Sequence, residues 1–249
     1  MVLRAVGSDV RADALLAQAG TASVWTVDLA FLLVAHGVSP RYCTSQLGCN
    51  PGFEAELCFY TQRISSDRAR VEALFAKAAS SGTPHVEQHI LSRAELIHIL
   101  RDGHAVAIVL VDRRHLYGEG GPALAAQREG GAGEAPRAES ISSAVSWLLS
   151  RAVDLIFQPV LRAPADEQAG PHLEPGPGRA SAGSVGFTGH YVCIVGLSPA
   201  ADAYIVHDPS CDRGANIINL DELDRARGCY GTDNDILICN LTERTRSAP

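Results

Sequence analysis

A histidine at position 190 and an aspartate at position 208 are residues of the right types, suitably spaced, to handle a proton together. They lie in the stretch Gly189 to Pro209, GHYVCIVGLSPAADAYIVHDP, which reads as two β-rich runs, His190 to Val195 and Tyr204 to His207. Ser198, Pro199 and Asp202 mark the turn between them. A histidine therefore opens one strand and an aspartate closes the next, and in an antiparallel hairpin those ends are neighbours. The expected register sets His190 directly opposite Asp208. A carboxylate in that place fixes the imidazole tautomer, so that the other ring nitrogen can take a proton from a nucleophile. The plainer alternative is that His190 is a polar strand end and Asp208 the first residue of an Asp-Pro turn.

The elements that must position this pair can be read from periodicity. Asp9 to Ala19 is expected to be a helix, with Ser8 or Asp9 as N-cap and Gly20 as its stop. Thr21 to His36 reads as a second helix, apolar around so much of its circumference that it belongs in the core. Trp25 within it is expected to be a packing anchor, meeting Asp28 only loosely. Val38 to Leu47 reads as a strand, Gly48 to Phe53 as a turn cluster, and Ser66 to Ala79 as an amphipathic helix. A short strand at His85 to Ile90 and a helix at Ser92 to Arg101 follow. His104 to Val111 is apolar on both faces and so is expected at the sheet centre. His104 also follows a glycine at a strand start, but no Asp-Pro strand end answers it, and it reads as structural. After the hairpin come a helix at Leu220 to Arg227, begun near Asn219, and a last strand at Asp235 to Leu241.

Between residues 113 and 186 the composition changes to Gly, Pro and Ala, as in GEGGPALAAQREGGAGEAPRAE, too poor in apolar surface to order itself. This reads as a low-complexity insertion in a single domain of residues 1–249. Inside it, residues 141–161 place Ile141, Val145, Leu148, Ala152 and Leu155 at helical spacing. A helix packing on its own domain is the plain reading, and a partner- or membrane-docking helix the other. The length of 249 residues suffices for a sizeable core, and a net charge of -7 gives no basic face for nucleic acid. Seven cysteines without a Cys-x-x-Cys pair point to reduced thiols. With no signal peptide and no long apolar run, a soluble cytoplasmic protein without a transmembrane segment is expected.

GHYVCIVG followed by IVHDP resembles the second half of a papain-like cysteine peptidase site, of the bacteriocin-processing type. More broadly, five blocks resemble the guanylyl cyclase domain-containing protein 1 family and its plant members. They are TASVWTVDLAFLL (Thr21 to Leu33), DRARVEALFAKA (Asp67 to Ala78), GHAVAIVLVD (Gly103 to Asp112), GFTGHYV (Gly186 to Val192) and YGTDNDIL (Tyr230 to Leu237). The resemblance spans nearly the whole chain apart from about residues 113–185. It implies an α+β fold of the papain-like type, with N-terminal helices followed by a mainly antiparallel sheet, and it implies catalytic roles for His190 and Asp208. Family members carry an Asp-Cys-Gly segment just before the helix in which Met1 to Val6 lie. This chain starts after that segment, so a catalytically incomplete site lacking its nucleophile is expected.

Three functions follow from this reading. The first is a cysteine-peptidase-like site acting on a peptide or protein. The second is the activity the family's name implies, conversion of GTP to cyclic GMP, and GTP is a partner only under it. The third is a non-catalytic peptide- or protein-binding module. Arg41-Tyr42-Cys43 fits the opening of a loose pattern used to propose guanylyl cyclase centres. A cyclase also needs metal-binding carboxylates and cations on the triphosphate, and no such motif is legible. No cofactor and no metal site is read from the sequence. Cys193, three residues past His190 on one strand, is expected on the opposite face, which leaves Cys211 as the cysteine to test as a nucleophile.

Overall fold

The computed structural model describes residues 2–21, 23–50, 60–116, 187–198, 201–211 and 214–242. The chain forms α1 (Val2–Ala5), α2 (Ala12–Ala19), α3 (Thr26–Ala35), β1 (Arg41–Thr44), α4 (Tyr60–Ser81), β2 (His85–Gln88), α5 (Arg93–Leu100) and β3 (Ala105–Asp112). A 3-10 turn at Arg113–His115 follows β3. The remaining elements are β4 (Gly189–Ser198), β5 (Ala203–His207), β6 (Ala215–Asn219), α6 (Leu220–Arg227) and β7 (Ile236–Asn240). The fold is mixed α+β, and the described residues form one seven-stranded sheet in the order β2-β1-β7-β3-β4-β5-β6. β1 and β2 run parallel and every other pair is antiparallel.

Strict alternation along the strands builds two cores. Val106, Ile108, Cys193, Leu237 and Cys239 face α1 to α4. Ala107, Val109, Val111, Val192, Ile194, Ile236 and Ile238 face α5 and α6. β3 is fourth of seven and is buried on both sides, which is why its sequence is an unbroken apolar run. Helices thus cover both faces, and the first three strands lie among them rather than after them.

Local chemistry moved several boundaries. α2 starts after Arg11, which has no capping side-chain bond, rather than at Ser8 or Asp9, and Gly20 ends it in the left-handed region at φ 64. α3 starts at Thr26 instead of Thr21. Thr21 Oγ1 accepts from Ser23 N (3.0 Å), a local bond that competes with helix, and Trp25 N donates to Asp28 Oδ2 (2.8 Å) at the true N-terminus. Trp25 and Asp28 are therefore tightly joined. α5 begins as read, with Ser92 N donating to Glu95 Oε2 (2.8 Å) and Glu95 N to Ser92 Oγ (3.3 Å). The edge strand β6 was not read from the sequence, because ANIIN is short, partly polar, and exposes Ile217.

The β4–β5 register also differs from expectation. Cys193 pairs with His207 and Ile194 with Val206, and then Gly196 pairs with Ile205, so a bulge leaves Val195 without a ladder partner. Continued past the end of β5, the ladder brings Asp208 level with Val192, and His190 pairs instead with Val111 of β3. β3 and β4 are neighbours. Asp112 pairs with Gly189, and Arg113 N donates to Thr188 O (3.0 Å), so the chain leaves and re-enters the fold at one point around the expected insertion. Leu116 is fully buried, which carries the described fold past residue 113. The helix expected at 141–161 lies outside the described residues.

Candidate active site

His190 and Asp208 come together diagonally across the hairpin. His190 shares a strand face with Val192 and Ile194, and Asp208 shares one with Tyr204 and Val206; these four apolar residues belong to the core under α5 and α6. His190 Nε2 lies 2.7 Å from Asp208 Oδ1. The same oxygen accepts from Ser210 N (2.7 Å) and Ser210 Oγ (2.7 Å), while Cys211 N donates to the Asp208 carbonyl (3.0 Å) and closes the Asp-Pro turn. An oxygen receiving donors from Ser210 is an acceptor, so Nε2 carries the imidazole proton and the basic lone pair falls on Nδ1. The side chains are 1% and 0% exposed, a setting in which the hydrogen bonds around the pair depend on one another.

Cys193 lies on the opposite face, as expected, and burial lifts its thiol to about 12. Burial also lifts Cys43 to about 12 and Cys49 to about 11, and raises Cys229 and Cys239. Cys211 is partly exposed just beyond the turn, and Cys58 lies outside the described residues. Helix α1 does not pack on the His190 side. Val2, Leu3 and Val6 belong to the core that contains Cys193 and packs Tyr191. An apolar cavity between α1, α2 and α3 lies over those same two residues, away from His190.

His104 is exposed, its carbonyl accepting from Leu241 N (2.8 Å), in keeping with a structural role. Arg41, Tyr42 and Cys43 do not share a centre. Arg41 pairs with Glu87, Cys43 Sγ donates to Glu87 Oε1 (3.2 Å), and Tyr42 points the other way, its hydroxyl donating to Asp235 Oδ2 (2.9 Å).

Tyr42 belongs to a second polar centre that sequence reasoning missed. Asp235 is 7% exposed, its Oδ1 has no hydrogen-bond partner, and burial raises its carboxyl to about 7. Thr26 Oγ1 and Tyr191 Oη lie 3.0 Å apart, and Asn50 Nδ2 donates to Asp233 Oδ1 (2.8 Å). At the start of α3, Arg70 pairs with both Asp28 and Asp67, and Trp25 Nε1 donates to Asp67 Oδ2 (3.0 Å). The only signal in the sequence was the acidic run TDND within YGTDNDIL, which says nothing about which distant hydroxyls would meet it.

A family profile described as guanylylate cyclase matches residues 1–129 and 166–239. The chain belongs to this family. Guanylyl cyclase 1 of Arabidopsis thaliana is 30% identical over 242 residues, covering 97% of this chain and 69% of that relative. No solved structure matches the chain. The stretch that the family profile skips, residues 130–165, falls inside the expected insertion and contains the whole of 141–161. Among the described residues no helix is long and apolar enough to cross a membrane.

Proposed function

We propose that this member of the guanylylate cyclase family carries the general-base half of a cysteine-peptidase-like site, with His190 as the base and Asp208 as its orienting partner. The observation that carries the reading is the 2.7 Å contact from Nε2 to a carboxylate oxygen that Ser210 also binds, because it leaves Nδ1 as the proton acceptor. The substrate class that suits such a base is a peptide or other acyl compound attacked by a thiolate. Covalent catalysis then needs a thiol of low pKa near Nδ1, and burial denies this to five of the six described cysteines. The site is therefore read as incomplete within the described residues. A chain that keeps the His190–Asp208 pair without turnover would act as a binding module. The test is mass-spectrometric mapping of a thiol-directed electrophile on wild type and His190→Ala. The expected result is no labelling that depends on His190, whereas labelling of Cys211 that disappears in His190→Ala would replace the incomplete site with a complete one.

The family match favours a second reading, formation of cyclic GMP from GTP. Against it stands the engagement of the carboxylates that such chemistry would use for metal ions. Asp28 and Asp67 are held by Arg70, and Asp224 by Arg93 and Arg227. Calorimetry with GTP and Mg2+ is expected to show no saturable heat. Metal-dependent binding that is lost on mutating acidic residues of one pocket would promote the cyclase reading over the first.

A further inference from the structure

We propose that Asp112, His115 and Cys229 form a binding site for one divalent transition-metal ion, with Zn2+ the best match to the ligand set. One carboxylate oxygen, one imidazole nitrogen and one sulfur from these residues all lie within 4.8 Å of one another. The sequence DRRH explains two of the three. Asp112 caps the 3-10 turn, its Oδ1 accepting from Arg114 N (3.1 Å), and residues three apart in such a turn stand one above the other, which brings His115 over Asp112. The third arrives from the loop after α6. Leu220, Leu223 and Ala226 pack in one core cluster with Val111 and Leu116, so that loop is held against the turn, and Cys229 Sγ donates to Arg225 O (3.1 Å).

The chemistry of the set selects the ion. A thiolate with an imidazole disfavours Mg2+ and Ca2+, which take oxygen ligands, and suits Zn2+ or Co2+ in tetrahedral coordination. Three protein ligands leave a fourth position for water, the arrangement of a reactive zinc site rather than a closed structural one. Arg114 Nη2 lies 2.5 Å from Asp112 Oδ2 and its Nε 3.0 Å from Oδ1. A carboxylate has lone pairs enough to serve both a guanidinium and a metal ion, and Arg114 fixes its orientation. The same positive charge weakens the ion's hold, so Arg114 tunes the site downward. This inference does not depend on the role given to His190.

The experiment is titration of the chelator-treated full chain with Co2+, followed by the thiolate-to-cobalt charge-transfer absorption, with Zn2+ competition and metal analysis after dialysis. One equivalent of Co2+ is expected, displaced by Zn2+. Cys229→Ser is expected to abolish the charge-transfer band, and His115→Ala to weaken binding by roughly tenfold or more. Arg114→Ala is expected to tighten it. His115 is exposed and its substitution leaves the core untouched, so it decides the matter if the Cys229 variant folds poorly. Absence of a charge-transfer band in wild type, or a band indifferent to His115→Ala, would overturn the proposal by placing any metal at another cysteine.

Discussion

Burial lifts the Asp235 carboxyl from 3.8 to about 7, and the sign of its effect on stability follows from that direction. The folded state holds this proton more tightly than the unfolded chain, so the associated stability is whole below about pH 4 and is lost as pH rises through about 7. The loss is on the order of 4 kcal/mol. The difference in unfolding free energy between wild type and Asp235→Asn, measured by urea denaturation at several pH values, is expected to move in the variant's favour across that window. A flat difference would mean that the carboxyl titrates normally. Asp208 is expected to behave differently. Asp208→Ala strands a buried imidazole N–H and the Ser210 donors, and it should cost about 3–5 kcal/mol at neutral pH in thermal or urea unfolding. Ser210→Ala removes only one of those bonds and should cost about 1 kcal/mol. The pairing of His190 with Asp208 was legible because strand ends in a hairpin must be neighbours. The Asp235 centre was not, since Tyr42, which bonds Asp235, and Thr26 and Tyr191, which bond each other, come from other elements and nothing local links them.

At the scale of elements, periodicity located nearly every helix and strand, and side-chain bonds set the ends that it could not. An unbroken apolar run showed β3 in the sheet centre, and Asn219 caps α6 as read, its Oδ1 accepting from Asp221 N (2.8 Å). Asn219→Ala should therefore cost about 1 kcal/mol. The hairpin register was not legible, because β4 runs on to Ser198, opposite Ala203, past the expected start of the turn, and the bulge at Val195 then offsets the ladder by one residue that nothing in GHYVCIVG marks. A glycine in the loop that delivers Cys229 offers a sharper test. Gly231 has φ 98, and a Cβ there would lie 2.5 Å from Phe187 Cγ. The Phe187 ring also sits over Gly189, at the start of the strand that carries His190. Gly231→Ala is expected to destabilise the protein by roughly 2–4 kcal/mol in thermal unfolding, through both backbone strain and displacement of that ring.

For the whole molecule, the insertion is expected to be dispensable for folding, because its two ends are already held together by the pairing of Asp112 with Gly189. Replacing residues 118–183 by a short Gly/Ser linker should leave one cooperative thermal transition, since loop entropy grows only slowly with length. An unfolded product would make 141–161 part of the core. The strand order has another consequence, one of timing. β7 lies between β1 and β3, so the last strand of the described fold joins its first two strands to the other four. Until the ribosome has released Ile236 to Asn240, the sheet exists only as two fragments with raw edges where β7 will sit. A nascent chain of this protein must wait, with apolar faces open, for β7, and it is in that interval that a chaperone would matter most.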